Sequence, residues 1–256
     1  MTAMTEAAPL QIVGNLRSCF REKFGTPRQP LLVPGATASL TVRKEFLPEH
    51  SLIGLERFSH VWLISYFHLN TNKTFRPKVH PPRLRGETIG VFASRAPHRP
   101  SPVGLSLARL VKVDGPTLHL AGIDLVDGTP ILDVKPYIPD WDSVPNASPG
   151  WLAGAPFPTL KVRFAARALE DVAAAQRRLK VSGLKRLLRD VLSQDLRNPR
   201  DKSQNRDGLE LGFFLYDFDT MFSVRGRTAT VLRLDTGAEM HKKARREPPR
   251  RVGLAR

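Results

Sequence analysis

The sequence predicts a mainly β protein: a β-barrel-like, non-Rossmann N-terminal domain followed by a smaller α+β C-terminal domain. Three observations predict it. Short apolar runs of strand length recur at roughly 8–12-residue spacing as far as Tyr137, punctuated by Gly, Pro and Asp-Gly turn signals. No G-x-G-x-x-G and no Walker-type glycine loop occurs, so neither a Rossmann dinucleotide site nor a P-loop is supported. Helical spacing appears only from Phe164 onwards and gives way to a last set of strands. The chain has 256 residues, of which 41% are hydrophobic, enough for a real core in one large domain and one small one. Composition places the domains at 1–165 and 166–236, with a basic, disordered tail at 237–256.

Taken in order, Gln11 to Arg17 reads as a short strand with Gly14 as a bulge, and Ala38 to Val42 as another. Between them, Glu22 to Pro30 is a proline-bracketed loop that presents Arg28. Glu49 to Leu55 suits one or two helical turns ending at Gly54. Phe58 to His68 is the most apolar run; its β-branched and aromatic content predicts a central buried strand, with His68 at its exit. Leu105 to Val113 and Thr117 to Leu120 form a hairpin across Asp114-Gly115-Pro116. Ile131 to Tyr137 is a further short strand, on which Asp133 and Lys135 share a face. They are either an exposed ion pair worth little or polar residues lining a pocket. Asp140 to Pro158 wraps the surface. Phe164 to Leu192 gives two helices divided at Ser182-Gly183, and Gln194 to Gly208 is a polar loop with Arg197, Arg200, Lys202 and Arg206. Leu211 to Phe218, Met221 to Val224 and Thr228 to Leu234 are the last strands.

Lys and Arg number 40 against 24 Asp and Glu, a formal net charge of +16, which points to a polyanionic partner, nucleic acid first. No apolar run approaches the roughly 18 residues of a spanning helix. Met1 to Gln11 has neither a basic nor an apolar region of a secretory signal, so a cytoplasmic protein is expected. Cys19 is the only cysteine and the seven histidines are scattered, so neither a disulfide nor a metal site is expected. No G-x-S-x-G elbow is present.

The most informative stretch is Gly90 to Ser106, G-V-F-A-S-R-A-P-H-R-P-S-P-V-G-L-S. Val91-Phe92-Ala93 reads as a strand; Arg95, His98 and Arg99 then sit among three prolines, which stiffen the backbone. From Arg76 to Arg109 there are seven Arg/Lys and one acid, Glu87. A rigid cationic loop suits an anionic ligand; a proline-rich surface turn with solvated arginines is the other reading. From the residues alone, the chain is a β-rich protein with a cationic cleft for an RNA-like anion, enzyme or not.

Phe58-Ser59-His60-Val61-Trp62, Pro81-Pro82-Arg83, Gly90 to Arg95, Arg99-Pro100-Ser101-Pro102-Val103-Gly104-Leu105-Ser106, Asp124 to Pro130 and Asp133-Val134-Lys135-Pro136-Tyr137 occur in the order seen in the TsaA-like, or TrmO, family of tRNA methyltransferases, which this chain resembles. The match runs from about Ile12 to Tyr137 and continues weakly through Leu188 to Asp195 and Leu215 to Phe218. The resemblance implies methyl transfer from S-adenosylmethionine to N6 of threonylcarbamoyladenosine, beside the tRNA anticodon, by a homodimer whose C-terminal domain helps to hold tRNA. It implies cofactor contacts at Arg28, Gln29, His68, Arg95, Leu105, Gly122, Ile123, Asp124 and Leu125. Asp133, Lys135 and Tyr137 become the candidate catalytic group, and Arg99, Ser101 and Asp217 candidate tRNA contacts. The family's usual R-P-N-P-I-G reads with Ser101 and Val103 here, which removes an amide donor. A non-catalytic tRNA- or RNA-binding module on the same fold is the alternative, separable by calorimetry with S-adenosylmethionine.

Overall fold

Strand β1 (Gly14–Ser18) begins the N-terminal domain, with β2 (Thr37–Thr41), helical turn α1 (Pro48–Ser51) and β3 (His60–Tyr66) after it. Two-residue strands β4 (Lys78–Val79) and β5 (Ile89–Gly90) pair with each other, and the long β6 (Val103–Asp114), β7 (Thr117–Ala121) and β8 (Pro130–Pro136) follow. The structure, a computed structural model, describes residues 9–71, 74–84, 86–153, 159–197 and 207–237. Arg85, Arg200, Lys202, Arg206 and the basic tail beyond residue 237 lie outside them.

Six antiparallel strands close into a barrel in the order β1-β2-β7-β6-β3-β8, with β8 returning to β1. Closure leaves no sheet edge among them. The interior is filled by Leu16, Leu40, Val61, Leu63, Ala108, Leu118, Leu120 and Ile131, one from every second position of each strand. β3 pairs on both sides, so it is central in the hydrogen-bonded sense that its composition suggests. Only Val61, Leu63 and Ser65 are buried, however; Trp62 and Ile64 face outward, as a barrel wall requires. Gly14 is not a bulge but a close approach, since a Cβ there would lie 2.5 Å from the Thr41 carbonyl oxygen. A register shift does occur in β6, between Leu110 and Lys112.

Val91 to Ala93, expected as a strand, is a single 3-10 turn. Val91 is buried, but the Ser94 hydroxyl donates to the Val91 carbonyl at 2.8 Å and accepts from the Ala96 amide at 3.2 Å. Those local bonds outcompete a ladder for three residues.

One turn, α2 (Pro139–Asp142), starts the surface segment after β8. The C-terminal part comprises β9 (Lys161–Phe164), α3 (Ala166–Leu179), α4 (Leu184–Ser193), β10 (Glu210–Leu215), β11 (Phe218–Arg225) and β12 (Thr228–Thr236). Its sheet runs β10-β11-β12-β9, with β9 parallel to β12. β9 precedes the boundary expected near 165 yet hydrogen-bonds into this sheet, because composition registers the helices and not a four-residue strand. The helices divide at Gly183, whose φ of 73° suits glycine. They bury Ala168, Val172, Ala175, Leu184, Leu187, Leu188 and Val191 against the sheet. The strand expected from Leu211 to Phe218 is interrupted: Tyr216 takes φ 53° and, with Asp217, turns β10 back into β11.

The two cores are stitched together by residues 19–36. Cys19, Phe20, Val33 and Ala36 pack in the C-terminal core although they lie between β1 and β2. Phe20 bridges to Leu215, the Tyr216 amide donates to the Cys19 carbonyl at 2.7 Å, and the Phe214 amide donates to Glu22 Oε1 at 3.1 Å. No described helix is long and apolar enough to cross a membrane.

Candidate functional site

At one mouth of the barrel, loops from four parts of the chain meet. Arg95, in the proline-stiffened loop, donates from its guanidinium to Gln29 Oε1 at 3.0 Å. Sixty-six residues of sequence separate the two, so only tertiary closure reveals the pair. Ser106, just inside β6, donates to Asp124 Oδ1 at 2.6 Å. Gly122 leads into the same loop from β7 with φ 78°, and its carbonyl accepts from the Leu31 amide at 2.8 Å. A side chain at 122 would lie 2.5 Å from Leu31 Cδ2, so glycine is needed for both space and conformation.

Asp124 is the perturbed acid of this cluster. Desolvation pushes its carboxyl up from an ordinary 3.8 to about 6, against the opposing pull of the Ser106 hydroxyl, a backbone amide and the Arg95 charge. Leu105, beside it on β6, turns outward and is 56% exposed, leaving an apolar wall open to a ligand. His68 follows the end of β3 in a turn tied down by neighbours: Lys23 Nζ donates to the Leu69 carbonyl at 2.6 Å, and Asn70 Nδ2 to the Pro97 carbonyl at 3.1 Å. Arg28 points elsewhere. Its guanidinium reaches the Asp195 carbonyl at 3.4 Å, and burial pulls its pKa down while the Asp195 charge partly restores it.

Beside the His68 turn, Asn70, Phe75, Arg76, His98, Arg99 and Pro100 line a pocket of about 130 Å³. His98 Nδ1 bonds Asn70 Oδ1 at 2.8 Å; burial first, then the Lys23 and Arg76 charges, hold its imidazole below the ordinary value. Arg99 is a brace for the loop. Its NH1 donates to the carbonyls of Val91 at 3.1 Å and Ser94 at 2.8 Å, and its guanidinium stacks 5.6 Å from the Phe92 ring centroid. Ser101 is exposed, and its carbonyl accepts from the Val103 amide at 2.7 Å.

The candidate catalytic residues occupy the outer wall next to this mouth. Leu105, Ile64 and Asp133 stand directly opposite one another on β6, β3 and β8, so Asp133 lies about 10 Å from Leu105. Lys135 forms a 2.8 Å ion pair with Asp133, largely solvated on both sides, which raises the ammonium pKa. Of the two readings, ion pair or pocket lining, the geometry gives the pair. Tyr137, just past the end of β8, lies four residues, about 13 Å, from Asp133, edge-on to Trp62 and His60. Asp217 is at the β10–β11 turn of the C-terminal sheet. It is bidentate with Arg178, whose guanidinium holds its carboxyl below the usual range.

Sequence reasoning missed Ser106 as a partner of Asp124 and Gln29 as the brace of Arg95. The Gly-Leu-Ser triplet that opens β6 was the available signal for Ser106.

Residues 15–143 match the family model of the tRNA-methyltransferase O N-terminal domain, and residues 158–237 that of the TrmO C-terminal domain. A tRNA (adenine(37)-N6)-methyltransferase of Mus musculus is 53% identical over 138 residues, 53% of this chain and 32% of the mouse protein. The chain thus spans about a third of the length of that mammalian relative. A putative S-adenosylmethionine-dependent methyltransferase, RcsF, of Pseudomonas aeruginosa is 43% identical over 81% of this chain and 88% of its own. The crystal structure of TrmO from the same organism superposes with a TM-score of 0.76 at 36% identity, covering 92% of this chain and all of that one (100%).

Proposed function

We propose that this chain, which belongs to the tRNA-methyltransferase O family, transfers a methyl group from S-adenosylmethionine to N6 of threonylcarbamoyladenosine at tRNA position 37. The observation that carries the proposal is the closure of Gln29–Arg95 and Ser106–Asp124 on one barrel mouth, within a chain that matches both family domains. The residues there fit the methyl donor. Arg95, oriented by Gln29, is a guanidinium suited to its carboxylate; exposed Leu105 suits its adenine; the Asp124 carboxylate suits its cationic centre. S-adenosylmethionine supplies a methyl group already activated on a sulfonium.

The protein's own contribution is alignment and charge. Lys135 has a solvated partner in Asp133 that a substrate carboxylate can replace at little cost, which makes it a candidate clamp together with Arg99 or Arg95. Releasing Asp133 frees a carboxylate on the same face to position N6 or accept its proton, a task also open to Tyr137. Cationic Lys23, Arg76 and Arg99 around the His68 turn favour an RNA phosphate nearby. The homodimeric part of the proposal rests on the family resemblance, and the cytoplasmic part on the sequence reading.

The test is nucleoside mass spectrometry of tRNA from a deletion strain. The methylated threonylcarbamoyladenosine should disappear and return with the wild-type gene; an unchanged profile refutes the reaction. In vitro, Lys135→Ala combined with Arg99→Ala should lower transfer to threonylcarbamoyl-modified tRNA at least tenfold, and unimpaired transfer refutes the clamp.

A further inference from the structure

The open face of the C-terminal sheet carries charge for which the barrel mouth has no use. β9 is an edge strand; its Val162 and Phe164 pack on the core, so Lys161 and Arg163 stand on the other face. Strand register sets further polar side chains beside them. Thr228 of β12 lies between Lys161 and Arg225, and Thr230 lies between Arg163 and Ser223. Arg227 follows across the turn at Gly226. The patch is about 10 Å across the strands and about 7 Å along them. Its four cations are all exposed.

Several cations on the helices behind the sheet are paired, although Arg177, Lys180 and Arg189 there are exposed without an acidic partner among the described residues. There, Arg167 pairs with Asp171, Arg178 with Asp217 and Arg186 with Asp190, while Lys185 sits over the Phe164 ring. Farther along the sheet, Arg233 is held by Glu210 and Asp235. Among the described residues, Lys161, Arg163, Arg225 and Arg227 have no acidic partner. Two acids border the patch: Glu210, opposite Ser223 across β10–β11, is held by Arg233 Nη2 at 3.0 Å, and Asp207 has both oxygens committed, to Arg197 Nη1 at 3.2 Å and to the Gly226 amide at 2.8 Å. Unneutralised cations interleaved with hydroxyls, with no large apolar side chain among them, complement a phosphodiester backbone and offer nothing to an apolar partner.

We infer that Lys161, Arg163, Arg225 and Arg227, with Thr228 and Thr230, form a backbone-contact surface that positions the tRNA without reading its bases. The inference rests on the tRNA reading above. The competing account is that charge on edge strand β9 merely blocks edge-to-edge pairing of sheets.

The test compares full-length wild type with two variants of equal charge change. One carries Lys161→Gln, Arg163→Gln, Arg225→Gln and Arg227→Gln; the other carries Arg177→Gln, Lys180→Gln, Lys185→Gln and Arg186→Gln on the helices. Binding of a labelled tRNA is measured from low to high salt, together with S-adenosylmethionine calorimetry and thermal unfolding. The sheet variant should bind about tenfold or more weakly at roughly 0.15 M salt, with a log–log salt slope shallower by about 3. Its cofactor affinity and melting should match wild type, and the helix variant should lose much less. Equal losses in both variants overturn the inference, because net charge then suffices. A sheet variant that binds tRNA like wild type overturns it as well, and aggregation of that variant would then favour edge protection. Wild type that binds tRNA without methylating it refutes the proposed reaction and not this surface.

Discussion

Replacing Asp124 with asparagine should stabilise the barrel at neutral pH while weakening cofactor binding. The carboxyl has a folded-state pKa of about 6 against an ordinary 3.8, with desolvation the main cause. A group whose pKa is raised on folding holds its proton more tightly in the native state. Native stability therefore falls as pH rises from about 4 through about 6, and the penalty is complete above that window. At 1.36 kcal/mol per tenfold change in proton affinity the rise corresponds to about 3 kcal/mol. Part of Asp124 still meets solvent, which trims this to about 2 kcal/mol. Asparagine keeps an oxygen to accept from Ser106 and carries no charge to desolvate. The assay is urea unfolding followed by tryptophan fluorescence, which reads the barrel because Trp62, Trp141 and Trp151 all precede β9. At pH 7.5 the variant should be more stable by about 2 kcal/mol, and at pH 4 the two proteins should converge. Calorimetry should show S-adenosylmethionine bound about tenfold more weakly. A variant less stable than wild type at pH 7.5, or a difference independent of pH, refutes the reasoning.

Two further outcomes follow from packing. Gly104→Ala would bring a Cβ to 2.5 Å from Ser65 Oγ and 2.7 Å from the Phe67 ring, so the same unfolding experiment should show a loss of about 1–3 kcal/mol. The Cys19 thiol, buried and pushed up to about 12 chiefly by desolvation, should resist iodoacetamide at pH 8 in the native protein and react fully in urea; rapid native labelling would contradict the packing described for it.

Much of the barrel is legible from local pattern. The apolar, β-branched and aromatic run of β3, the Asp114-Gly115-Pro116 turn and the β8 run each specify their element within a few residues, because strand propensity and turn chemistry act locally. The departures have a common origin. Val91 to Ala93 looks like a strand until Ser94 and Arg99 are seen to satisfy the Val91 carbonyl, and Tyr216 breaks a strand by adopting a left-handed conformation that tyrosine does not advertise. The site is less legible than the fold. Its constituent residues come from family resemblance, whereas the pairs Gln29–Arg95 and Ser106–Asp124 arise only when distant loops close. Likewise Asp133 and Lys135 share a face by periodicity, but their distance from Leu105 depends on the β6–β3–β8 register, which no local signal encodes.

The excursion of residues 19–36 gives the molecule one cooperative seam. Phe20 and Val33 are guests in the C-terminal core, and between them hang Arg28, reaching the Asp195 carbonyl, and Gln29, bracing Arg95. The loop that carries Arg28 and Gln29 is therefore tethered at both ends to the C-terminal core. Cutting the chain after the barrel would strip the hosts from those guests and leave the loop without moorings. A shortened protein that loses donor affinity would report a slackened loop before it reported anything about the grip on RNA.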